Sequence, residues 1–85
     1  QRIVEDRKKN PEEGSYTSFL FARGIDKIAK KAGEEAVELV IASKNDDKGE
    51  VIGEAADFLY HMMVLLAEKG VKLSEVCSEL YKRNK

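Results

Sequence analysis

The chain reads as an all-α fold, a small helical bundle, on three observations. Apolar residues recur at intervals of three and four along most of its length, and no stretch alternates as a strand would. Pro11, its one proline, stands in the polar stretch Asn10 to Gly14, where it ends a helix rather than breaking one. The third observation is size. A chain of 85 residues makes a single domain, residues 1–85, that buries only about 60–65% of its unfolded surface. The bundle is therefore expected to be completed by oligomerisation.

An initial helical piece contains Arg2-Ile3-Val4. The chain opens at Gln1, without a methionine and in mid-helix, so some N-terminal sequence is expected to be missing. After the loop at Pro11, Ser15 can cap a short helix through Tyr16 to Phe21, which Gly24 ends. The next helix spans about Ile25 to Ser43, with Ile25, Ile28, Ala29, Ala32, Ala36, Leu39 and Val40 as its core stripe. A polar turn from Lys44 to Gly49 follows, and Asn45 or Asp46 is the expected cap of the third helix, which runs to about Lys69 and stops at Gly70. That helix is apolar almost all round, the pattern of a buried one. Gly53 weakens it by about 0.5–1 kcal/mol relative to alanine, which predicts close backbone approach there. Leu73, Val76, Cys77, Leu80 and Tyr81 form the stripe of a last helix begun by Ser74. Cys77 and the pair Met62-Met63 are assigned to the core.

Charge and cysteine usage exclude several function classes. Fifteen Lys+Arg balance sixteen Asp+Glu for a formal net charge of −1, so no basic excess draws the chain to nucleic acid. The most apolar run, Ala55 to Ala67, is shorter than the roughly 20 residues that span a bilayer and contains Asp57 and His61. No membrane association is expected. A single cysteine permits neither an internal disulfide nor a thiolate metal site, and fits a reducing, cytoplasmic setting.

The chemistry lies in two acidic clusters on either side of the polar turn, Glu34-Glu35-x-x-Glu38 and Glu54-x-x-Asp57. If the two long helices fold back on each other, Glu38 comes level with Glu54 and Glu35 with Asp57. With a rise of about 1.5 Å per residue and axes roughly 8–10 Å apart, these carboxylates converge on a space the size of a divalent-ion site. Uncompensated, such a cluster repels itself, and a metal ion is the simplest compensation. Lys27 and Lys31 share the acidic face, which lies largely opposite the apolar stripe, and suit phosphate oxygens as well as solvent. Singly, each feature has an ordinary explanation: Glu-Glu-x-x-Glu as a solvated face, Glu54 and Asp57 as partners of lysines, His61 as a satisfied core histidine. Tyr60 is read as packing. The matched heights and the apolar surroundings of the second cluster favour a site.

Four segments together resemble the phosphoribosyl-ATP pyrophosphohydrolase family. They are Ser15-Tyr16-Thr17-Ser18-x-Leu20-Phe21, Lys30-Lys31-Ala32-Gly33-Glu34-Glu35-Ala36-Val37-Glu38, Gly53-Glu54-x-Ala56-Asp57-Phe58-Leu59-Tyr60-His61 and Leu73-Ser74-Glu75-Val76. That family belongs to the all-α nucleotide pyrophosphohydrolases, with the MazG-type enzymes and dimeric dUTPases. The resemblance implies hydrolysis of phosphoribosyl-ATP to phosphoribosyl-AMP and pyrophosphate, the second step of histidine biosynthesis. It places metal ligands at Glu34, Glu35, Glu38, Glu54 and Asp57, with Glu35, Glu38 and Asp57 as the catalytic carboxylates. Lys27, Lys31, His61, Ser15, Tyr16 and Thr17 fall on the substrate side. All-oxygen ligands suit Mg²⁺, or Mn²⁺, and not zinc. In some relatives the domain follows a cyclohydrolase whose zinc chemistry needs several cysteines, an activity not expected of a chain with Cys77 alone. The partners implied are a small-molecule nucleotide and further copies of the chain, as a homodimer or higher homo-oligomer. Two other readings stay open: a house-cleaning nucleoside triphosphate pyrophosphohydrolase, and a non-catalytic helical interaction module.

Overall fold

A computed structural model describes residues 15–84 as four helices and, among these residues, no strand. The expected first helical piece and the loop at Pro11 lie outside the described residues. Helix α1 spans Tyr16–Arg23, α2 Ile25–Ala42, α3 Lys48–Glu68 and α4 Leu73–Arg83.

Ser15 caps α1 as expected, its Oγ accepting the Ser18 N–H at 3.2 Å. A single residue then joins α1 to α2. Gly24 donates its N–H to Leu20 O, accepts from Ile28 N, and sits at φ +89°, a conformation that side chains rarely adopt. The α3 cap is Asp47, which accepts the Glu50 N–H at 3.1 Å, and not Asn45 or Asp46. The turn after α2 takes the chain through Ser43 to Asn45 first, with Asn45 N–H bonded back to Ala42 O. At the other end, Gly70 at φ +71° closes α3 with two bonds, Gly70 N–H to Ala67 O and Val71 N–H to Leu66 O. Helix α4 begins at Leu73, and its cap is Lys72, two residues before the Ser74 that was expected to start it. The Glu75 carboxylate reaches back to the Lys72 N–H at 2.8 Å, so no hydroxyl cap is needed.

Helices α2 and α3 form an antiparallel hairpin, and α1 lies across it. Leu20, Ile28 and Val64 are fully buried, and Ala67, Phe21, Tyr60, Met63 and Leu65 pack with them. Each fully buried aliphatic side chain contributes about 1.5–3 kcal/mol. The buried face of α2 is Ile28, Ala32, Glu35 and Ala42, rotated from the expected stripe so that a glutamate stands within it. Ile25, Ala29 and Val40, assigned to the core, are exposed. The acidic face is thus not opposite the packed one but merges with it, because α3 lies against that side.

Two further expectations are corrected. Cys77 is exposed on α4, a helix with no buried residue, and a Cβ on Gly53 would meet nothing within 4 Å among the described residues. Helix α3 buries only His61, Val64 and Ala67, which leaves Ile52 and Leu59 half exposed or more. The apolar circumference of α3 exceeds what α1 and α2 cover.

Candidate functional site

The α2–α3 hairpin brings together carboxylates from both acidic clusters. One oxygen from each of Glu35, Glu38 and Glu54 belongs to a group whose atoms all lie within 4.8 Å of one another. Glu35 is the buried member at 7% exposure, Glu54 is half-buried and Glu38 is exposed, so the group opens to solvent on one side. There Glu38 and Glu54 line an open cleft of about 210 Å³ with Ile41, Ala42, Asn45 and Glu50. Ala42, level with Glu50 across the hairpin, leaves this space free because it is small.

Crowding shows in the protonation equilibria. The Glu54 carboxyl is pushed above its usual range by burial first, then by the charges of Glu38, Asp57, Glu35 and Glu50. A carboxylate raised on folding binds its proton more tightly in the native state, so this strain is absent at low pH and grows as pH rises past the ordinary carboxylate range. The counter-charge within the site is Lys31, whose Nζ stands 3.6 Å from Glu34 Oε1 and 3.6 Å from Glu35 Oε2. Partial burial alone would lower the Lys31 pKa. Tyr16, Glu34 and Glu35 more than offset this and hold it above the usual lysine value.

A polar cluster ties α1 to the carboxylate-bearing helix. His61 Nδ1 lies 2.8 Å from Asp57 O, a group that can only accept, so the neutral imidazole carries its proton on Nδ1. Its Nε2 therefore accepts the Tyr16 hydroxyl proton at 3.0 Å. The Tyr16 pKa is raised, chiefly by burial, with Tyr60, Glu35 and Glu34 adding and Lys31 opposing, which keeps the phenol a donor. Beside it the buried Thr17 hydroxyl pairs with Tyr60 Oη. The rings of Tyr16 and Tyr60 stack at 6.1 Å between centroids, and both meet the His61 ring edge-on.

Of the five carboxylates picked out in the sequence, Glu35, Glu38 and Glu54 meet. Glu34 and Asp57 are exposed and lie outside that group: Glu34 faces Lys31, and Asp57 acts through its charge on Glu54 and its carbonyl on His61. Lys27 is half-buried near the start of α2. Ser15 Oγ is engaged in capping, Thr17 and His61 are bonded internally, and Tyr16 keeps 45% of its surface exposed. Sequence reasoning missed Glu50 and Asn45, which meet at the cleft mouth with Asn45 Nδ2 donating to Glu50 Oε1 at 2.9 Å. Helical spacing does put Glu50 one turn before Glu54 on the same polar stripe, which marks its position but not a role. The path of the turn that places Asn45 leaves no such signal.

Three carboxylate oxygens, one from a buried side chain, fit a hard divalent ion that keeps several waters, as Mg²⁺ does. Binding would relieve the repulsion that raises Glu54. Saturating Mg²⁺, at about 100 times its dissociation constant, is expected to raise the melting temperature at pH 7 by on the order of 10 °C. The gain should shrink as pH falls through the carboxylate range, where protons replace the ion. Calorimetric melts at pH 7 and pH 4 check this, and equal shifts at both would count against the carboxylates as ligands.

Comparison with known proteins gives a consistent picture. The family model described as Phosphoribosyl-ATP pyrophosphohydrolase matches residues 1–84. A Phosphoribosyl-ATP pyrophosphatase of Clostridium acetobutylicum is 56% identical over 82 residues, 96% of this chain and 74% of that protein. One from Streptococcus gordonii is 62% identical over 77 residues, 91% of this chain and 74% of its own length. The Histidine biosynthesis bifunctional protein HisIE of Caldanaerobacter subterraneus is 57% identical over 82 residues, 96% of this chain but 40% of the relative.

Proposed function

Because the chain belongs to the phosphoribosyl-ATP pyrophosphohydrolase family, we propose that it cleaves the α–β phosphoanhydride of phosphoribosyl-ATP, releasing pyrophosphate and phosphoribosyl-AMP in the second step of histidine biosynthesis. The observation that carries this reading is the meeting of Glu35, Glu38 and Glu54 across the α2–α3 hairpin beside an open cleft. Bound there, Mg²⁺ or Mn²⁺ would neutralise charge on the phosphate oxygens and polarise the attacking water. Glu35, Glu38 and Glu54 hold the ion, with Glu34 and Asp57 adding negative charge around them. Lys31 and Lys27 supply positive charge on the same side of α2 for the triphosphate. Tyr16, with its exposed ring, faces the nucleotide from α1, while His61 and the Thr17–Tyr60 pair fix that helix in place. The test is release of pyrophosphate from phosphoribosyl-ATP in the presence of Mg²⁺. No release from this nucleotide or any other would return the chain to the class of helical interaction modules.

The assembly reading is a homodimer or higher homo-oligomer. Val40 and Ile41 on α2, Ile52 and Leu59 on α3, and Leu80 and Tyr81 on α4 are each half exposed or more, and among the described residues no element covers them. Sedimentation equilibrium is expected to give at least twice the 9.5 kDa chain mass. A stable monomer at high micromolar concentration would remove this proposal. No helix among the described residues is long and apolar enough to cross a membrane. The single cysteine of the sequence is what supports a reducing, cytoplasmic setting.

A further inference from the structure

Glu35 is the most deeply placed acid of the site, 7% exposed, and a buried carboxylate without a partner is costly. Its cation in the structure is Lys31, one helical turn earlier, with Nζ 3.6 Å from Glu35 Oε2 and equally far from Glu34 Oε1. The Lys31 side chain is 27% exposed, so its ammonium stands at the edge of the site, partly in solvent beside Glu34 and Glu35. Glu35 is also one of the three acids whose oxygens converge within 4.8 Å. One carboxylate thus serves two cations, and they compete.

We propose that Lys31 is an exchangeable counter-ion: in the metal-free protein it neutralises Glu35, and on metal loading it gives up Glu35 and turns to the polyphosphate of the arriving nucleotide. This deepens the proposed function and rests on its metal site. It makes the metal ion the condition for a free lysine, so the ion binds first and the nucleotide second. Two physical facts support the exchange. A divalent ion on Glu35 repels an ammonium held 3.6 Å from the same carboxylate. The departing lysine loses little, because both of its bonds are long and its head is already part-solvated.

Lys31→Met and Lys31→Arg, compared with wild type, test the exchange without turnover. Mn²⁺ is titrated into each protein by calorimetry with no nucleotide present. Competition for Glu35 orders the affinities Met above Lys above Arg. The uncharged variant binds about tenfold tighter, and the arginine variant several-fold weaker, because a guanidinium grips carboxylates with two parallel bonds. A background field of one positive charge would instead leave Lys and Arg alike, and that result would overturn the proposal. A second arm adds inorganic tripolyphosphate to the Mn²⁺-loaded proteins. Lys31→Met is expected to bind it about tenfold more weakly, reversing the order seen for the ion alone, and unchanged tripolyphosphate affinity would also overturn the exchange. If wild type binds Mn²⁺ but the variants do not differ, this inference fails while the metal site stands. If wild type binds no Mn²⁺, both fail.

Discussion

Glu35→Gln is expected to lower turnover by about 10³-fold or more while leaving the chain folded. The amide keeps the size and shape of the side chain, so the buried face of α2 that it shares with Ile28, Ala32 and Ala42 survives. What it loses is charge. One of three converging oxygens becomes a weak neutral ligand, and a loss of about 4 kcal/mol of transition-state stabilisation is ordinary for removing such an electrostatic group. In the metal-free state the same change relieves repulsion on Glu54 and costs Lys31 one partner while Glu34 remains, so stability should move by about 1 kcal/mol or less. Asp57→Asn is the informative companion, since Asp57 lies outside the three-oxygen group. A matching loss there would mean that the loaded site draws Asp57 in. Circular dichroism melts with and without Mg²⁺ separate folding from chemistry. A Glu35→Gln protein that needs metal to fold yet turns over normally would remove Glu35 from catalysis.

Phosphoribosyl-ATP should be cleaved at least about 100-fold more efficiently than ATP, as kcat/KM. Both present the same triphosphate to Glu35, Glu38, Glu54 and Lys31, so those groups cannot tell them apart. The difference must be gathered at the added ribose phosphate and expressed in the transition state. Within the segment Ser15-Tyr16-Thr17-Ser18 the structure narrows the candidates. Ser15 Oγ holds Ser18 N–H and the Thr17 hydroxyl holds Tyr60, which leaves the exposed Tyr16 ring as the part turned outward. Thr17→Val should therefore cost about 1–3 kcal/mol of stability by leaving the Tyr60 hydroxyl without its partner, and should alter the substrate ratio only by loosening α1. Steady-state rates on the two nucleotides decide the matter. Equal efficiency would place the chain among house-cleaning triphosphate pyrophosphohydrolases, and an unchanged ratio in the Thr17 variant would take that hydroxyl out of direct recognition.

The hairpin was legible because helices have a fixed rise: Glu38 level with Glu54 follows from the length of the turn alone, and the pair does meet. The helix stops at Gly24 and Gly70 were legible for a similar reason, since only glycine takes their backbone conformation freely. Rotation about the helix axis was not. Composition marks Ile25, Ala29 and Val40 as core, yet the side of α2 that α3 covers includes Glu35, and nothing local to α2 announces that. Burial of an acid is tolerated only beside a counter-charge, which here is Lys31, one turn earlier on the same helix. The exposure of Cys77 escaped notice for a related reason. An amphipathic stripe says that a helix has a face to bury, not that its own chain provides the surface.

The five-residue turn between α2 and α3 also bears on how the site comes into being. Glu38 and Glu54 are brought together by closing one short segment, an event that costs little chain entropy and takes roughly a fraction of a microsecond. Local contacts of this kind are expected to form early in folding, before α1 has docked its Leu20 against Ile28 and Val64. The nascent hairpin must accordingly draw its acids together while it still lacks most of its apolar cover. Mutual repulsion is then a kinetic brake as well as a strain on the finished protein, and cations in solution act on the rate at which the chain reaches its native state.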